Sequence, residues 1–171
     1  MQIDKILVYP TDTIYGLHTS AFNKKGVEKI YQLKGRIENK PFIILISELE
    51  DLKKFGVILN QKTKDYLEKL WPGPVSVILE VPSEKFKYLH RGTKTLAFRI
   101  PKFPFLQKIL KESGPLVSTS VNPAGQKPAK NIKEAQEYFG KKVDIYIDRG
   151  ELNNPPSTVI KIENGKVEIL R

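Results

Sequence analysis

Short apolar runs alternate along this chain with segments whose apolar residues recur every three or four positions. Short runs rich in β-branched and aromatic residues are typical of strands, and the longer period is typical of helices. Their alternation predicts an α/β or α+β domain, although it does not give the order of the strands. The predicted strands are KILVY (5–9), FIILI (42–46), VSVILEV (75–81), TLAFRI (95–100), LVSTS (116–120) and VDIYI (143–147).

Start and stop signals bound the predicted helices. Asn23 is an N-cap residue for a helix that ends at Lys34, where Gly35 can take the left-handed conformation. Asn60 begins a helix that ends near WPGP (71–74), because two prolines interrupt it. A third predicted helix covers 104–113 and is stopped by Gly114. A fourth runs from Asn131 to Phe139, with Glu134 completing a capping box. A short helix is predicted in 47–55, with Ser47 and Glu50 as its capping box.

The C-terminal stretch STVIKIENGKVEILR (157–171) contains Asn164-Gly165 between two apolar runs. An Asn-Gly pair in this setting is the strongest short-range signal for a β-hairpin. The sheet is therefore predicted to be at least partly antiparallel.

The stretch YPTDTIYG (9–16) directly follows the first predicted strand. One interpretation is a plain turn, in which Asp12 hydrogen-bonds the backbone and Gly16 supplies an unusual dihedral. Two threonines and two tyrosines are more than a turn requires, so the other interpretation is a ligand-binding segment. The local sequence leaves both open.

Composition narrows the classes of protein. A chain of 171 residues fits one domain, and its lack of cysteine excludes disulfides, thiolate metal sites and a cysteine nucleophile. The two histidines, His18 and His90, are too few to suggest a zinc site. No apolar run approaches the ~18 residues of a membrane span, and the N-terminus has no signal-peptide pattern, so a cytoplasmic protein with no membrane association is expected.

The net charge indicates which partners the protein could bind. Lys and Arg number 29 against 19 acids, a formal net charge of +10. This excess favours anionic partners such as nucleotides or nucleic acid. A lysine-rich proteome accounts for it equally well.

Basic residues crowd the segment LKGRIENKP (33–41) before the second predicted strand. The end of a helix explains Lys34, since cations stabilise that end of the helix dipole. Arg36 and Lys40 follow so closely that a polyphosphate site is the alternative, because phosphate oxygens suit an Arg fork and Lys charges. The usual phosphate loops, G-x-x-x-x-G-K-[ST] and G-x-G-x-x-G, are absent from the sequence.

Two further segments place polar groups in or just beyond predicted strands. In TLAFRIP (95–101), alternation puts Thr95 and Arg99 on one face, so both can line one pocket; an edge strand facing water is the alternative. In STSVNPAG (118–125), Ser118, Ser120 and Asn122 lie at a strand end, where ligand crevices occur in α/β sheets. An ordinary turn explains the second segment equally well.

Six segments, taken in order, resemble the YrdC family of threonylcarbamoyl-AMP synthases. They are PTDTIYGL, KGR…KP, WPGP, TLAFRIP, STSVNPAG and STV…ILR. The resemblance covers residues from about Pro10 to Arg171. It implies a single YrdC-like domain, in which a twisted mixed or antiparallel sheet with flanking helices surrounds a basic concave cavity. The chain is similar to the short form of the family, without the further C-terminal domain of longer relatives.

The resemblance also implies a reaction. L-threonine, bicarbonate or CO2, and ATP are expected to give threonylcarbamoyl-AMP and pyrophosphate, which makes the protein a nucleotidyltransferase. Mg²⁺ is expected to arrive with ATP rather than at a metal site of the protein. This synthesis is expected to be the first step of a tRNA modification. Partner transferase proteins are then expected to move the threonylcarbamoyl group onto tRNA.

Residue roles follow from motif position. The expected threonine-contacting residues are Thr13, Arg99, Ser118 and Ser157. The expected ATP-contacting residues are Lys34, Arg36, Lys40, Thr95, Ser120, Asn122 and Arg171, of which Lys34, Arg36, Ser120 and Asn122 form the expected catalytic set. Many relatives have Asn at the position of Lys40, and longer relatives have a threonine-contacting His in the stretch that is Ile43-Ile44-Leu45 here.

Two other functions are compatible with the sequence. An RNA-binding module for tRNA or double-stranded RNA suits the +10 charge, but no RNP-like aromatic pattern or KH-type GxxG segment supports it. A carbamoyl-adenylating domain of hydrogenase maturation is the other, and such domains occur in much longer chains.

Overall fold

The computed structural model describes residues 3–35, 40–163 and 166–171 of the chain. Its strands are β1 Leu7–Pro10, β2 Tyr15–Ser20, β3 Ile43–Leu45, β4 Val75–Glu80, β5 Thr95–Arg99, β6 Leu116–Ser120, β7 Ile145–Tyr146, β8 Thr158–Glu163 and β9 Lys166–Ile169. Over the described residues these nine strands form one sheet in the order β7-β1-β2-β6-β3-β5-β4-β8-β9.

The sheet is mixed. The pairs β1–β7, β3–β5 and β4–β8 are parallel, and the other neighbouring pairs are antiparallel. Five helices flank it in the described part of the chain: α1 Lys24–Lys34, α2 Gln61–Leu70, α3 Lys87–His90, α4 Pro104–Ser113 and α5 Ile132–Phe139. The predicted fold class, a mixed α/β domain with a partly antiparallel sheet, is confirmed.

One face of the sheet carries the main hydrophobic core. Alternate strand residues such as Leu17, Ile44 and Phe98 are fully buried on this side. They form one cluster with apolar side chains of α1, α2, α5 and the 3-10 turn Leu49–Phe55, including Ile30, Leu67, Phe139 and Phe55. Burial of these side chains, about 1.5–3 kcal/mol each, is the main force that holds the helices to the sheet.

The opposite face is divided between a smaller core and an open area. Tyr9, Leu45 and Leu116 form a second cluster with Leu106 and Leu110 of α4. Side chains two positions along a strand share a face, so this side continues past α4 along the same strands. There it is lined by Ser118 of β6, Ile43 of β3, Ala97 of β5 and Ile78 of β4, which lie side by side across the sheet.

The helix boundaries follow from local chemistry. The Asn23 side chain accepts a hydrogen bond from Gly26 N at 3.0 Å, and Gly35 ends α1 with φ 56°. Asn60 caps α2 and Asn131 caps α5 in the same way. These boundaries agree with the predicted ones.

The structure corrects several local predictions. The short helix predicted in 47–55 is a 3-10 helix over Leu49–Phe55, and its predicted capping box of Ser47 and Glu50 does not form; the Ser47 hydroxyl instead donates to Asp51 at 2.7 Å. The predicted strand 143–147 is only Ile145–Tyr146, and the strand Tyr15–Ser20 was not predicted. The antiparallel hairpin β8–β9 is confirmed, while its Asn164-Gly165 turn lies outside the described residues.

Candidate active site

A cavity of about 440 Å³ occupies the open area of the sheet. Its floor is the row formed by Ser118, Ile43, Ala97 and Ile78, so it is apolar at the centre. Polar side chains surround this floor and belong to chain segments that are far apart in sequence. The predicted site residues among them are Thr13, Thr95, Arg99, Ser118, Ser120, Ser157 and Arg171.

Thr95 and Arg99 both line the cavity from β5. The strand lies between β3 and β4, inside the sheet, so the alternative of an edge strand facing water is wrong. Thr95 is only partly buried, and its hydroxyl lies 3.3 Å from that of Thr93 at the cavity rim.

One side of the cavity, which we call the turn wall, consists of Thr11, Asp12, Thr13 and Arg99. The segment 11–14 is a turn in which Thr11 N donates to Ile14 O at 3.1 Å. The Thr11 hydroxyl accepts hydrogen bonds from the backbone of Thr13 and Ile14 at 3.1 and 3.2 Å. Thr11 therefore makes the local turn contacts that the sequence suggested for Asp12.

Asp12 instead pairs with Arg99. The Arg99 Nη2 atom lies 2.5 Å from Asp12 Oδ1, and the backbone of Lys102 donates to Asp12 Oδ2 at 3.1 Å. Arg99 also donates from Nε to Gly73 O at 2.9 Å and from Nη1 to Thr13 Oγ1 at 3.1 Å. These contacts fix a guanidinium that is only 3% exposed.

The surroundings of Arg99 lower its pKa on balance. Burial lowers its pKa, the Asp12 carboxylate raises it, and the charge of Arg171 lowers it again, with a net lowering. An arginine remains charged in proteins despite such a shift. Two cations that influence each other in one cavity favour a bound anion.

The hydroxyls of Thr11 and Thr13 contact each other in the turn wall. The Thr11 proton has two acceptors within reach, Ile14 O at 2.8 Å and Thr13 Oγ1 at 2.9 Å, and either hydroxyl can be the donor in the second contact. Thr13 Oγ1 also accepts from Arg99 Nη1 at 3.1 Å. The Thr13 hydroxyl is therefore held at the cavity by Thr11 and Arg99.

Gly16 lies in β2, beside the turn wall, and its role differs from the predicted one. It does not have a positive φ; instead, a Cβ atom there would lie 2.5 Å from His18 Nε2 and 3.2 Å from Ser118 Oγ. His18 is fully buried, and burial lowers its pKa to about 4. Gly16 is therefore needed for close packing over a neutral imidazole.

Another side of the cavity, which we call the terminal wall, consists of Ser76, Ser157 and Arg171. The Arg171 guanidinium donates from Nε and Nη2 to Ser157 O at 3.3 and 3.1 Å. Ser157 Oγ also lies 3.0 Å from Ser76 Oγ of β4. Ser157 and Arg171 line the cavity, and Ser76 is fully buried behind them.

A β-bulge sets the direction of Arg171. Leu170 N and Arg171 N both lie within hydrogen-bond distance of Val159 O, at 2.8 and 3.4 Å, so two residues oppose one. Regular pairing would put Arg171 on the same face as Ile169, away from Val159 and the cavity. The bulge turns it toward the cavity, as bulges beside functional sites often do.

A hydrogen-bond network joins three predicted site residues, Lys34, Ser120 and Asn122. Most of this network does not line the cavity. The Lys34 ammonium donates to Ser120 O at 2.6 Å, to Asn122 O at 2.8 Å and to Asn122 Oδ1 at 3.2 Å. The Ser120 hydroxyl donates to Asn122 Oδ1 at 2.6 Å. Only Ser120 lines the cavity among these three, so the network joins the end of α1 to the turn after β6.

Of two further predicted phosphate contacts, one lies away from the cavity lining and the other is not described. Lys40 is exposed and does not belong to the cavity lining, and Arg36 lies outside the described residues. No group of three or more His, Cys, Asp or Glu side chains that could hold a metal occurs in the described ranges 3–35, 40–163 and 166–171. Within the same ranges, no helix is long and apolar enough to cross a membrane.

Sequence reasoning missed four contributors to the site. Tyr15, one of the two tyrosines of YPTDTIYG, lines the cavity; its hydroxyl accepts from Arg149 N at 2.9 Å and donates to Gly150 O at 2.7 Å, which anchors the 148–150 loop. Ser76 and the apolar floor residue Ile78 were taken as ordinary strand residues. The sequence contained a signal for Thr11, because it belongs to the PTDT segment that was singled out as a candidate site. It contained no signal for Ser76 or Ile78.

These features define a class: a mixed α/β domain whose open sheet face forms an arginine-lined cavity. Comparison with known proteins gives the family. The family model for Sua5, YciO and YrdC proteins, described as telomere recombination, matches residues 1–171, and the chain belongs to this family.

Individual relatives agree with this assignment. The chain is 32% identical over 165 residues to a threonylcarbamoyl-AMP synthase of Marinobacter nauticus, covering 94% of this chain and 86% of the relative. It is 30% identical over 171 residues to a threonylcarbamoyl-AMP synthase of Yersinia enterocolitica, covering 97% and 89%. The crystal structure of P. abyssi Sua5 complexed with L-threonine superimposes with a TM-score of 0.89 at 29% identity, over 98% of this chain and 50% of that one. This chain thus spans about half the length of that Sua5 protein.

Proposed function

We propose that this protein synthesises L-threonylcarbamoyl-AMP from L-threonine, bicarbonate or CO2, and ATP, with release of pyrophosphate. Relatives at 30–32% identity carry the name of this activity, and a structural neighbour was solved with L-threonine. The observation in this chain that carries the proposal is the placement of Arg99 and Arg171 in one cavity with hydroxyl walls and an apolar floor.

The turn wall suits the amino-acid end of threonine. Thr13 offers a hydroxyl group to the amine, and Arg99 offers a cation for the carboxylate. Three Arg99 N–H groups donate to Gly73, Thr13 and Asp12, so two of its five donors have no partner among the described residues. Ile43 and Ala97 provide an apolar surface for the threonine methyl group.

The reaction requires two bond-forming steps. The threonine amine attacks CO2, loses one N–H proton to solvent and gives an N-carboxylate. This carboxylate then attacks the α-phosphorus of ATP in line while the bond to pyrophosphate breaks and pyrophosphate leaves. Such phosphoryl chemistry depends on positioning and on neutralising charge rather than on a protein nucleophile. No residue is assigned as a general base.

Charge neutralisation is assigned to the basic residues at the cavity. Arg171 faces the space where the leaving phosphates would lie, and Arg36, outside the described residues, is proposed to add a second guanidinium. Mg²⁺ is proposed to arrive bound to the ATP phosphates and to offset part of their charge. Lys34 can reach a phosphate only if it gives up one of its bonds to the 120–122 turn.

The test is direct. Purified protein is incubated with ATP, Mg²⁺, bicarbonate and L-threonine, and pyrophosphate and threonylcarbamoyl-AMP are measured. Both products should require threonine and bicarbonate together. A Lys62→Ala variant, changed on α2 away from the cavity, should keep wild-type activity, whereas product formation without threonine would contradict the proposal.

The net charge of +10 favours a second function, binding of tRNA by the same protein. Delivery of the product to threonylcarbamoyl-transferase proteins acting on tRNA is part of the proposed role. A filter-binding titration with tRNA at increasing salt tests direct binding. Affinity that falls steeply with salt would support it, and the absence of binding at low salt would exclude it.

A further inference from the structure

Ser76 is a polar residue that the proposed reaction does not use. Its side chain is fully buried in β4, on the strand next to Arg99 and next to β8. Among the described residues its hydroxyl has one hydrogen-bond partner, Ser157 Oγ at 3.0 Å. A buried hydroxyl in a central strand is costly unless its hydrogen bond is well made, so this contact needs an explanation.

The direction of this hydrogen bond can be worked out from the protons. Each serine hydroxyl has one proton to donate and two lone pairs that accept. If Ser157 donated to Ser76, the Ser76 proton would be buried without an acceptor. If Ser76 donates to Ser157, the Ser76 proton has an acceptor and no buried proton is left unpaired. The second arrangement is therefore the favoured one.

This direction decides what Ser157 presents to the cavity. Ser157 Oγ then accepts from Ser76 and, at 3.4 Å, from Arg171 Nη2, so both of its lone pairs are engaged. Its own proton remains and points to the open side, because Ser157 lines the cavity and Ser76 lies behind it.

We propose that Ser76 is a positioning residue that keeps Ser157 a hydrogen-bond donor toward an anionic oxygen of the substrate, beside Arg171. This inference rests on the proposed function for the identity of the substrates. The anionic oxygen belongs either to the threonine carboxylate or to an ATP phosphate, and titration with each compound separately distinguishes the two.

The experiment is a double-mutant cycle by isothermal titration calorimetry. Wild type, Ser76→Ala, Ser157→Ala and the double variant are titrated with L-threonine and, separately, with Mg-ATP. Ser76→Ala should weaken one of the two ligands 3- to 10-fold, and Ser157→Ala should weaken the same ligand. The double variant should be no weaker than Ser157→Ala alone, because Ser76 acts only through Ser157.

Steady-state kinetics supply a second readout. Ser76→Ala should raise KM for the affected substrate by the same factor and leave kcat within twofold, since a positioning residue does not touch the reacting atoms. Ser76→Thr, which retains the hydroxyl, should restore part of the affinity. Thr19→Val is the matched control: it removes a fully buried strand hydroxyl that has no hydrogen-bond partner in the described part of the chain and does not line the cavity, so neither ligand should be affected.

The outcomes separate this inference from the proposed function. Unchanged affinity in Ser76→Ala, or losses that add in the double variant, would overturn the positioning role even if wild type makes product. Wild type that binds threonine and ATP but releases no pyrophosphate would refute the proposed function, and the calorimetric cycle would still decide the role of Ser76. If wild type binds neither ligand, both are wrong. Thermal melts confirm that each variant is folded.

Discussion

The two cavity-lining arginines, Arg99 and Arg171, are held by walls built in different ways. Arg99 comes from the middle of the sheet, is 3% exposed and is ion-paired with Asp12. Arg171 is exposed, follows the edge strand β9, and is held by the backbone oxygen of Ser157. The same functional group is thus part of the core in one wall and an addition to the surface in the other.

This difference separates stability from binding. The Arg99 contacts also hold the 11–14 turn and Gly73, so the turn wall cannot lose its arginine without losing part of the fold. Among the described residues, the Arg171 side chain hydrogen-bonds to Ser157, directly before β8. Changes in the turn wall should therefore reduce both properties, and changes in the terminal wall should reduce binding alone.

The largest expected effect is that of Arg99→Leu. Removal of one partner of a buried ion pair leaves Asp12 uncompensated and destabilises proteins by about 3–5 kcal/mol. Urea denaturation should show this loss, together with loss of threonine binding. The double variant Asp12→Asn, Arg99→Leu should be more stable than Arg99→Leu alone; equal stability would indicate that the ion pair does not hold the turn wall.

The next effect concerns pH, because His18 lies beneath the turn wall. Its folded-state pKa of about 4 is below the ordinary 6.5, so the unfolded chain binds more protons between these values. Its contribution to stability is therefore complete above pH 6.5 and is lost as the pH falls to 4, at most about 3 kcal/mol. Denaturation at pH 7 and pH 4.5 should show a smaller difference for His18→Gln than for wild type. Identical pH dependence would contradict the buried neutral imidazole.

A smaller loss is expected from Gly16→Ala. The added methyl group would approach His18 Nε2 to 2.5 Å, and the fully buried imidazole has little room to move. Overpacking of this kind costs typically about 1–3 kcal/mol. Chemical denaturation measures the loss. The comparison is with Ala97→Gly, which removes a methyl group from the cavity floor. Gly125→Ala is unsuitable as a control because Gly125 has a φ of 82°, which an alanine rarely adopts.

The sequence predicted the helices better than the sheet, and the reason is physical. Asn23, Gly35, Pro104 and Gly114 act on residues within one turn of themselves, so local chemistry sets the ends of α1 and α4. The sheet order depends on pairing at long range, with β6 between β2 and β3. No local pattern contains that information.

The candidate site shows the same division. Alternation in β5 was enough to predict that Thr95 and Arg99 share a pocket. The partners that set the function of these groups lie far away in sequence: Asp12 is 87 residues from Arg99, and Ser76 is 81 residues from Ser157. The bulge at Leu170 reverses the face expected for Arg171, so simple alternation fails there.

The smallest expected effect on stability, and the sharpest test of the comparison, is that of Arg171→Ala. Arg171 as a residue is exposed and its guanidinium is bonded to the backbone oxygen of Ser157, so the free energy of unfolding should change by less than about 1 kcal/mol. Catalytic efficiency should nevertheless fall about 10- to 100-fold, since a charge-assisted hydrogen bond to a ligand contributes about 1.5–3 kcal/mol. Arg171→Lys should recover only part of this, because an ammonium cannot reproduce the planar fork. A loss of stability as large as that of Arg99→Leu would show that the terminal wall is also part of the core, and the distinction between the two walls would then fail.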